Sequence, residues 1–257
     1  IWYDASDVDG DGDAADNPTN GAAVATWYDK AAADGSQNTS PQGASPLLAT
    51  NGLNGMSVVT FSGTNDSLSF GLSNPGERSF FLVAKGISCV QFWRSTGFAG
   101  SYGLLDRTGK LLAGYSDGGV NTQLVPYNAD LFYLLTTVHA TNGTRVFTSG
   151  ELGGQTAETF MALTTPAGSH LLGNYLGGGN VAGDADPFIG ELLVYTGAVS
   201  YVEQTLTENY LSAKYGFALS VAKDGYAGDD PANGDFDFDV FGIGRESNMT
   251  VSAASAG

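Results

Sequence analysis

Hydrophobic positions come in short runs separated by Gly, Asn, Asp and Ser, which is the pattern of strands rather than of long helices. Strands are predicted over Met56–Phe61, Ser67–Phe70, Ser79–Ala84, Lys110–Tyr115, Leu131–Val138, Thr144–Thr148, His170–Gly173 and Pro187–Thr196. Turn residues such as Asn142-Gly143 and Asp117-Gly118-Gly119 break them at the spacing of a sandwich or barrel. The unbroken apolar run Phe80-Phe81-Leu82-Val83-Ala84 predicts a strand covered on both faces.

One segment departs from this pattern. Ser200 followed by Glu203 forms a capping box, Val202, Leu206, Tyr210 and Ala213 recur on one face, and Gly216 supplies a stop. The spacing predicts one amphipathic helix over residues 201–215, laid against the sheets. Residues 1–222 are read as the sandwich with its helix. Residues 223–257 hold an acidic loop (Lys223–Asn233), a last strand over Phe236–Ile243, and a small polar tail over Ser252–Gly257 expected to be disordered or a junction. The chain opens directly in strand-like Ile1-Trp2-Tyr3, as expected of a processed mature protein or a piece of a longer one.

Composition agrees with a turn-rich β protein: charged residues are 14% and glycines number 37. The net charge of −17, from 27 acids against 10 bases, disfavours nucleic acid and anionic membranes as partners. No apolar run is long enough for membrane insertion. A single cysteine, Cys89, excludes an internal disulfide framework and reads as a buried thiol in Ile87-Ser88-Cys89-Val90. His139 and His170 offer no triad spacing.

The acids are not evenly spread. Asp7, Asp9, Asp11 and Asp13 alternate around Gly10 and Gly12, with Asp16 close behind. Crowded carboxylates repel unless a cation lies between them, and a set of oxygen-only ligands suits Ca²⁺, which takes roughly six to eight oxygens at about 2.3–2.6 Å. Counted from Asp7, the aspartates fall at the first four ligand positions of an EF-hand loop and Gly12 at its turn position. The final ligand position is Pro18 and no flanking helices are predicted, so this is a calcium loop in a β setting. A second cluster, Asp224, Asp229, Asp230 and Asp235, is a candidate for another ion. The alternative for the first cluster is a solvated acidic turn; for the second it is an edge strand whose charges deter aggregation. Asp235, Asp237 and Asp239 would share one strand face, a pattern that also occurs in glycoside hydrolases.

The chain resembles concanavalin A-like (laminin-G-like) domains of large bacterial surface proteins. The resemblance rests on Ile1-Trp2-Tyr3-Asp4-Ala5-Ser6-Asp7, Val24-Ala25-Thr26-Trp27-Tyr28-Asp29-Lys30, and Asn51-Gly52-Leu53-Asn54-Gly55-Met56-Ser57-Val58-Val59-Thr60-Phe61. Ile189-Gly190-Glu191-Leu192-Leu193-Val194-Tyr195, the helix end Tyr210–Gly216, and Phe241-Gly242-Ile243-Gly244-Arg245-Glu246 add to it. It implies an all-β, two-sheet antiparallel jelly-roll sandwich, structural calcium, and a place in adhesins or other cell-surface proteins. Where such domains carry Ser-Gly-Asn-Gly after the Trp-x-Asp-Lys element, this chain has Ala31-Ala32-Ala33-Asp34-Gly35, so no ligand contact is carried onto that loop.

The expectation is therefore a non-enzymatic, calcium-stabilised extracellular module for adhesion or assembly, with a glycan, a protein or copies of itself as partner. A glycan site would draw on aromatics beside Gly- or Asn-rich turns, for which Trp93, Tyr102, Tyr115, Tyr127 and Tyr175 are candidates, each also readable as core. A glycoside hydrolase acting through Asp235, Asp237 and Asp239 is the enzymatic alternative.

Overall fold

The computed structural model describes residues 1–13, 15–31, 37–41, 43–61, 66–71, 77–86, 90–93, 101–106, 110–116, 123–126, 128, 130–156, 170–173, 187–226, 232, 240–243 and 252–255. They form two large antiparallel sheets and one helix, the all-β sandwich expected.

The first sheet contains β1 (Trp2–Asp4), β3 (Leu47–Leu53), β4 (Met56–Thr60), β6 (Arg78–Lys85), β11 (Tyr133–Ala140), β12 (Gly143–Thr148), β13 (Glu151–Thr156) and β15 (Phe188–Tyr195). Its order is β13-β12-β11-β6-β15-β4-β3. β15 pairs with β4 through Phe188 and Ile189, then with β1 through Glu191, Leu192 and Leu193, so β1 takes over the edge where β4 ends. The second sheet runs β10-β9-β8-β7-β14-β5-β2, from β10 (Gln123–Pro126), β9 (Lys110–Ser116), β8 (Ser101–Asp106), β7 (Val90–Trp93), β14 (His170–Gly173), β5 (Ser67–Phe70) and β2 (Ser40–Pro41).

Between the sheets lies the main core, with Trp27, Tyr3, Phe61, Leu48, Leu68, Phe80 and Leu82 at its centre. Tyr3 packs 5.7 Å from Trp27 and edge-on to Phe70, and the Trp27 indole N–H donates to the Asp4 carbonyl at 3.0 Å. On β6, Phe80, Leu82 and Ala84 enter this core. Phe81 and Val83 enter a second cluster with Leu134, Val138, Leu211 and Tyr215 under the helix. The apolar run is covered on both faces, as its pattern predicts, with a separate apolar cluster on each.

α1 spans Tyr201–Tyr215, as expected. Ser200 Oγ accepts from the Glu203 N–H, Glu203 accepts from the Ser200 N–H, and Gly216 closes the helix in the left-handed region at φ 70°. The predicted single apolar face is corrected, because Leu206 and Tyr210 are only partly buried while Gln204, Thr205, Thr207, Glu208, Asn209 and Lys214 are buried. Burial on several sides is tolerated because the polar side chains bond locally: Thr205 to the Tyr201 carbonyl, Thr207 to that of Glu203, and Asn209 to those of Thr205 and Lys223.

The predicted tail is also corrected. Ser252–Ser255 forms β17, paired with β16 (Val240–Ile243), where backbone pairing asks little of the Ser and Ala side chains. Residues 236–239 and the turn at 117–119 lie outside the described residues, as does Cys89. His139 is buried on β11, its Nδ1 2.8 Å from Thr144 Oγ1 and its ring edge-on to Phe80. Desolvation, with the charge of Arg78, pushes its pKa down to about 3, which marks a neutral core residue.

Truncation of the central indole should be costly: Trp27→Ala is expected to remove about 3–5 kcal/mol of stability, read from denaturant midpoints. The helix supplies a pH test. Glu208 Oε1 accepts from Thr136 Oγ1 and Gln204 Nε2, both at 2.8 Å, while its buried Oε2 has no partner among the described residues. Burial raises its pKa above the ordinary 4.5, more than the two hydrogen bonds and Lys223 lower it. A raised carboxyl stabilises the fold below its unfolded pKa, and that stability is lost as pH rises through the folded value. The wild-type Tm should therefore fall more steeply than that of Glu208→Gln when pH is raised from about 4.5.

Candidate metal centre

The acidic loop leaves β1 at Asp4 and is folded by its own side chains. The Asp7 N–H donates to the Asp4 carbonyl, and Asp4 Oδ1 accepts from the Ser6 N–H. Asn17 closes the loop, accepting from the Val8 N–H at 2.8 Å and donating to the Ala5 carbonyl at 3.0 Å. The Val8 carbonyl accepts from the Tyr28 N–H, tying the loop to the segment after Trp27. Gly10 has φ 72°, and a Cβ there would meet Tyr28 Cβ at 2.9 Å, so the close approach requires glycine.

Within this frame, carboxylate oxygens of Asp7, Asp9 and Asp11 lie within 4.8 Å of one another, a grouping that can hold a metal ion. Asp7 is 3% exposed. Its Oδ2 is held by Lys30 Nζ at 2.7 Å and by the Gly12 N–H at 3.0 Å, while its Oδ1 and the Oδ1 of Asp9 are buried with no N–H or O–H donor among the described residues. Without a cation the two carboxyls can therefore relieve each other only by sharing a proton. Unpaired buried acceptors are costly, and a cation among them would satisfy both. Burial pushes the Asp7 carboxyl up, but the hydrogen bond and charge of Lys30 and the Gly12 N–H outweigh it, leaving the pKa lowered. Asp9 shifts the other way: burial, then the charges of Asp16 and Asp11 and the hydrogen bond with Asp7, raise it more than a backbone N–H lowers it.

The other predicted ligands are placed differently. Asp11 Oδ1 accepts from the Asp13 N–H, and Asp13 Oδ1 from the Ala15 N–H, so Asp13 shapes the exposed end of the loop outside the cluster. Asp16 acts on Asp9 through its charge. Asp224 follows the helix, its Oδ1 accepting from the Tyr226 N–H at 3.3 Å. Asp229, Asp230 and Asp235 lie outside the described residues, as do Asp237 and Asp239. Trp93, Tyr102 and Tyr115 fall on β7, β8 and β9, but their side chains, and all of Tyr127 and Tyr175, are likewise outside the described set.

Behind the loop lies a chain of charges that sequence reasoning missed. Lys30 Nζ bridges Asp7 and Asp4 (3.3 Å), and Lys214 Nζ bridges Asp4 at 2.7 Å and Glu191 at 2.8 Å. Glu191 is fully buried, yet its oxygens accept from four donors: Trp2 Nε1 (2.7 Å), Lys214 Nζ, Tyr210 Oη (3.0 Å) and Tyr215 Oη (3.1 Å). A register shift between Ile189 and Glu191 is the reason this carboxylate faces the helix: Ile189 enters the main core, and after the bulge so do Leu192 and Val194. Burial raises the Glu191 pKa, and Lys214 pulls it back; with an ammonium and three neutral donors around it, the carboxylate is the form this pocket fits. An acid inside the apolar run Ile189–Tyr195 was the available signal for Glu191. Lys30 had none beyond its place in Trp27-Tyr28-Asp29-Lys30. There Asp29 Oδ1 takes the N–H groups of Trp2 and Ala31, so the whole element serves to fasten β1.

Beside the loop a cleft of about 540 Å³ is lined by Ser6, Asn17, Thr19, Thr50, Ser57 and Met56, with Lys214 also on its wall.

No family model matches the sequence, and no curated protein does. Among solved structures the chain is similar to a Trypanosoma rangeli sialidase in complex with sialic acid, at TM-score 0.51 and 10% identity, over 77% of this chain and 31% of that one. It is also similar to botulinum neurotoxin type C, whose cell entry depends on interaction with two ganglioside molecules (TM-score 0.48, 12% identity, 69% of this chain and 48% of that one). The binding domain of botulinum neurotoxin serotype D gives TM-score 0.46 at 10% identity, over 63% and 44%. The chain thus spans about a third of the sialidase and less than half of either toxin chain. At such identity the sialidase likeness concerns the β-sandwich fold.

Removing the central carboxylate should show what the charge chain contributes. Glu191→Ala strands Lys214 in a buried site with only Asp4, and should cost about 3–5 kcal/mol in urea unfolding.

Proposed function

We propose that the chain is a non-enzymatic, calcium-stabilised extracellular module, a laminin-G-like domain acting in adhesion or assembly at a bacterial cell surface. The observation that carries the calcium reading is the pair of buried oxygens on Asp7 and Asp9 that no N–H or O–H of the described residues reaches, within a cluster completed by Asp11. All the ligand side chains are hard carboxylates, with neither His nor Cys, which favours Ca²⁺ over zinc or copper. Lys30, Asp4 and Lys214 link the loop to β1 and α1, so an ion bound there would stiffen the joint between the sheet edge and the helix.

Among possible partners a glycan is favoured by the cleft beside the loop. Its wall mixes Ser6, Asn17, Thr19, Thr50 and Ser57 with apolar surface from Pro18 and Met56, and a sugar, with a hydroxyl edge and a C–H face, matches both kinds of surface. Because Asn17 both lines the cleft and closes the acidic loop, calcium would also order the ligand site.

The decisive measurement is thermal unfolding with calcium or chelator. Extracellular sites bind at about 10⁻⁴–10⁻³ M, so about 10 mM Ca²⁺ should add about 1.5–3 kcal/mol and raise Tm by several degrees. Asp9→Ala should abolish the increment. An identical Tm in calcium and chelator would remove the proposal. Chelator-sensitive retention of the protein on a glycan array would support the glycan reading, and calcium-driven polymerisation without sugar would replace it by self-assembly.

A further inference from the structure

Resting on the calcium reading above, the geometry points to Lys30 as the residue that sets the strength of the loop's cation site, by occupying one oxygen of Asp7 and cancelling one of the loop's charges. Calcium affinity in such loops follows the number of charged ligands and the freedom of each to coordinate. The Asp7 carboxylate is divided between two tasks. Oδ2 is taken by the Lys30 ammonium at 2.7 Å and by the Gly12 N–H, leaving the buried Oδ1 as the oxygen with no such donor, in a residue whose carboxylate clusters with those of Asp9 and Asp11. Asp7 is thereby confined to one-oxygen coordination, and a fixed positive charge stands directly behind a ligand of the ion.

Lys30 cannot easily withdraw. Its backbone N–H donates to the Trp2 carbonyl, its Nζ lies 4.7 Å from the centre of the Trp2 ring, and the side chain is 16% exposed. It therefore remains against Asp7 whether or not an ion is present, giving a site that fills only where calcium is plentiful, as it is outside cells.

A merely structural lysine would lower stability when replaced and would weaken or leave unchanged the binding of calcium. A charge-setting lysine does the reverse for calcium. Lys30→Met keeps the aliphatic stem on Trp2 and frees Asp7 Oδ2. Asp4 stays paired with Lys214 at 2.7 Å, so the fold retains its main bridge. Removing a unit charge some ångströms from a divalent ion changes affinity on the order of tenfold even with near-aqueous screening.

Calorimetric titration with Ca²⁺ should therefore give a Kd about tenfold lower for Lys30→Met than for the wild type, with Lys30→Gln between them and Lys30→Arg close to wild type. In chelator the order of Tm should be opposite, with Lys30→Met lowest, so the calcium-induced rise in Tm is largest in that variant. Lys30→Gln and Lys30→Arg test the same order if Lys30→Met folds only with calcium. Equal or weaker calcium binding in the neutral variants, with a wild type that does bind, overturns the role of Lys30 and leaves the metal site standing. A wild type that takes up no calcium overturns the metal reading itself.

Discussion

A fully buried carboxylate, Glu191, sits where the first sheet, the opening strand and the helix meet, and the charges around it must balance for that junction to exist. Taking an ion out of water costs several kcal/mol even after relaxation, so it persists only when its oxygens are fully engaged. Here the donors come from all three partners: Trp2 from β1, and Tyr210, Lys214 and Tyr215 from α1, around an acid on β15. Lys214 and Lys30 extend the balance outward through Asp4 to Asp7, in strict alternation of sign. The acidic loop is the open end of that series, where three carboxylates gather and only one is answered by a lysine.

That arrangement changes the meaning of the acidic composition. Among the described residues Asp11, Asp13 and Asp16 face water, but Asp4, Asp7 and Glu191 are each less than a tenth exposed and belong to the architecture. The loop and the interior are thus one electrostatic system, in which each added or removed charge is felt at both ends. The helix follows the same logic on a neutral scale, its Thr, Asn and Gln side chains buried because each finds a backbone or carboxylate partner.

Much of the scaffold could be read from local pattern. The Phe80–Ala84 run announced a strand with two covered faces, the Ser200/Glu203 pair and Gly216 fixed both ends of the helix, and β5 and β14 fell on the predicted residues. The alternation of Asp7, Asp9 and Asp11 likewise marked the cluster that the fold brings together. Other features had no local signature. β3 carries Asn51-Gly52 and β13 carries Gly153-Gly154, residues that weaken strand propensity, and both form because neighbouring strands supply the pairing. The helix was assigned one apolar face because periodicity weighs hydrophobic residues only; hydrogen bonds let its polar residues be buried too. Pairing of Lys30 with Asp7, and of Lys214 with Glu191, spans 23 residues each, and no spacing rule predicts contacts of that kind.

The way β15 divides its edge between two partners has a bearing on how the chain is made. The indole of Trp2 meets the Glu191 carboxylate 189 positions further on, so β1 meets its partner strand only after the intervening chain has been made. Pairings of such long range are slow to close. During synthesis the β1 segment is without β15 until those residues have appeared, and the aspartates beside it oppose its association with other chains in the meantime. The same acids that crowd the finished loop thereby act earlier as its guard against premature association.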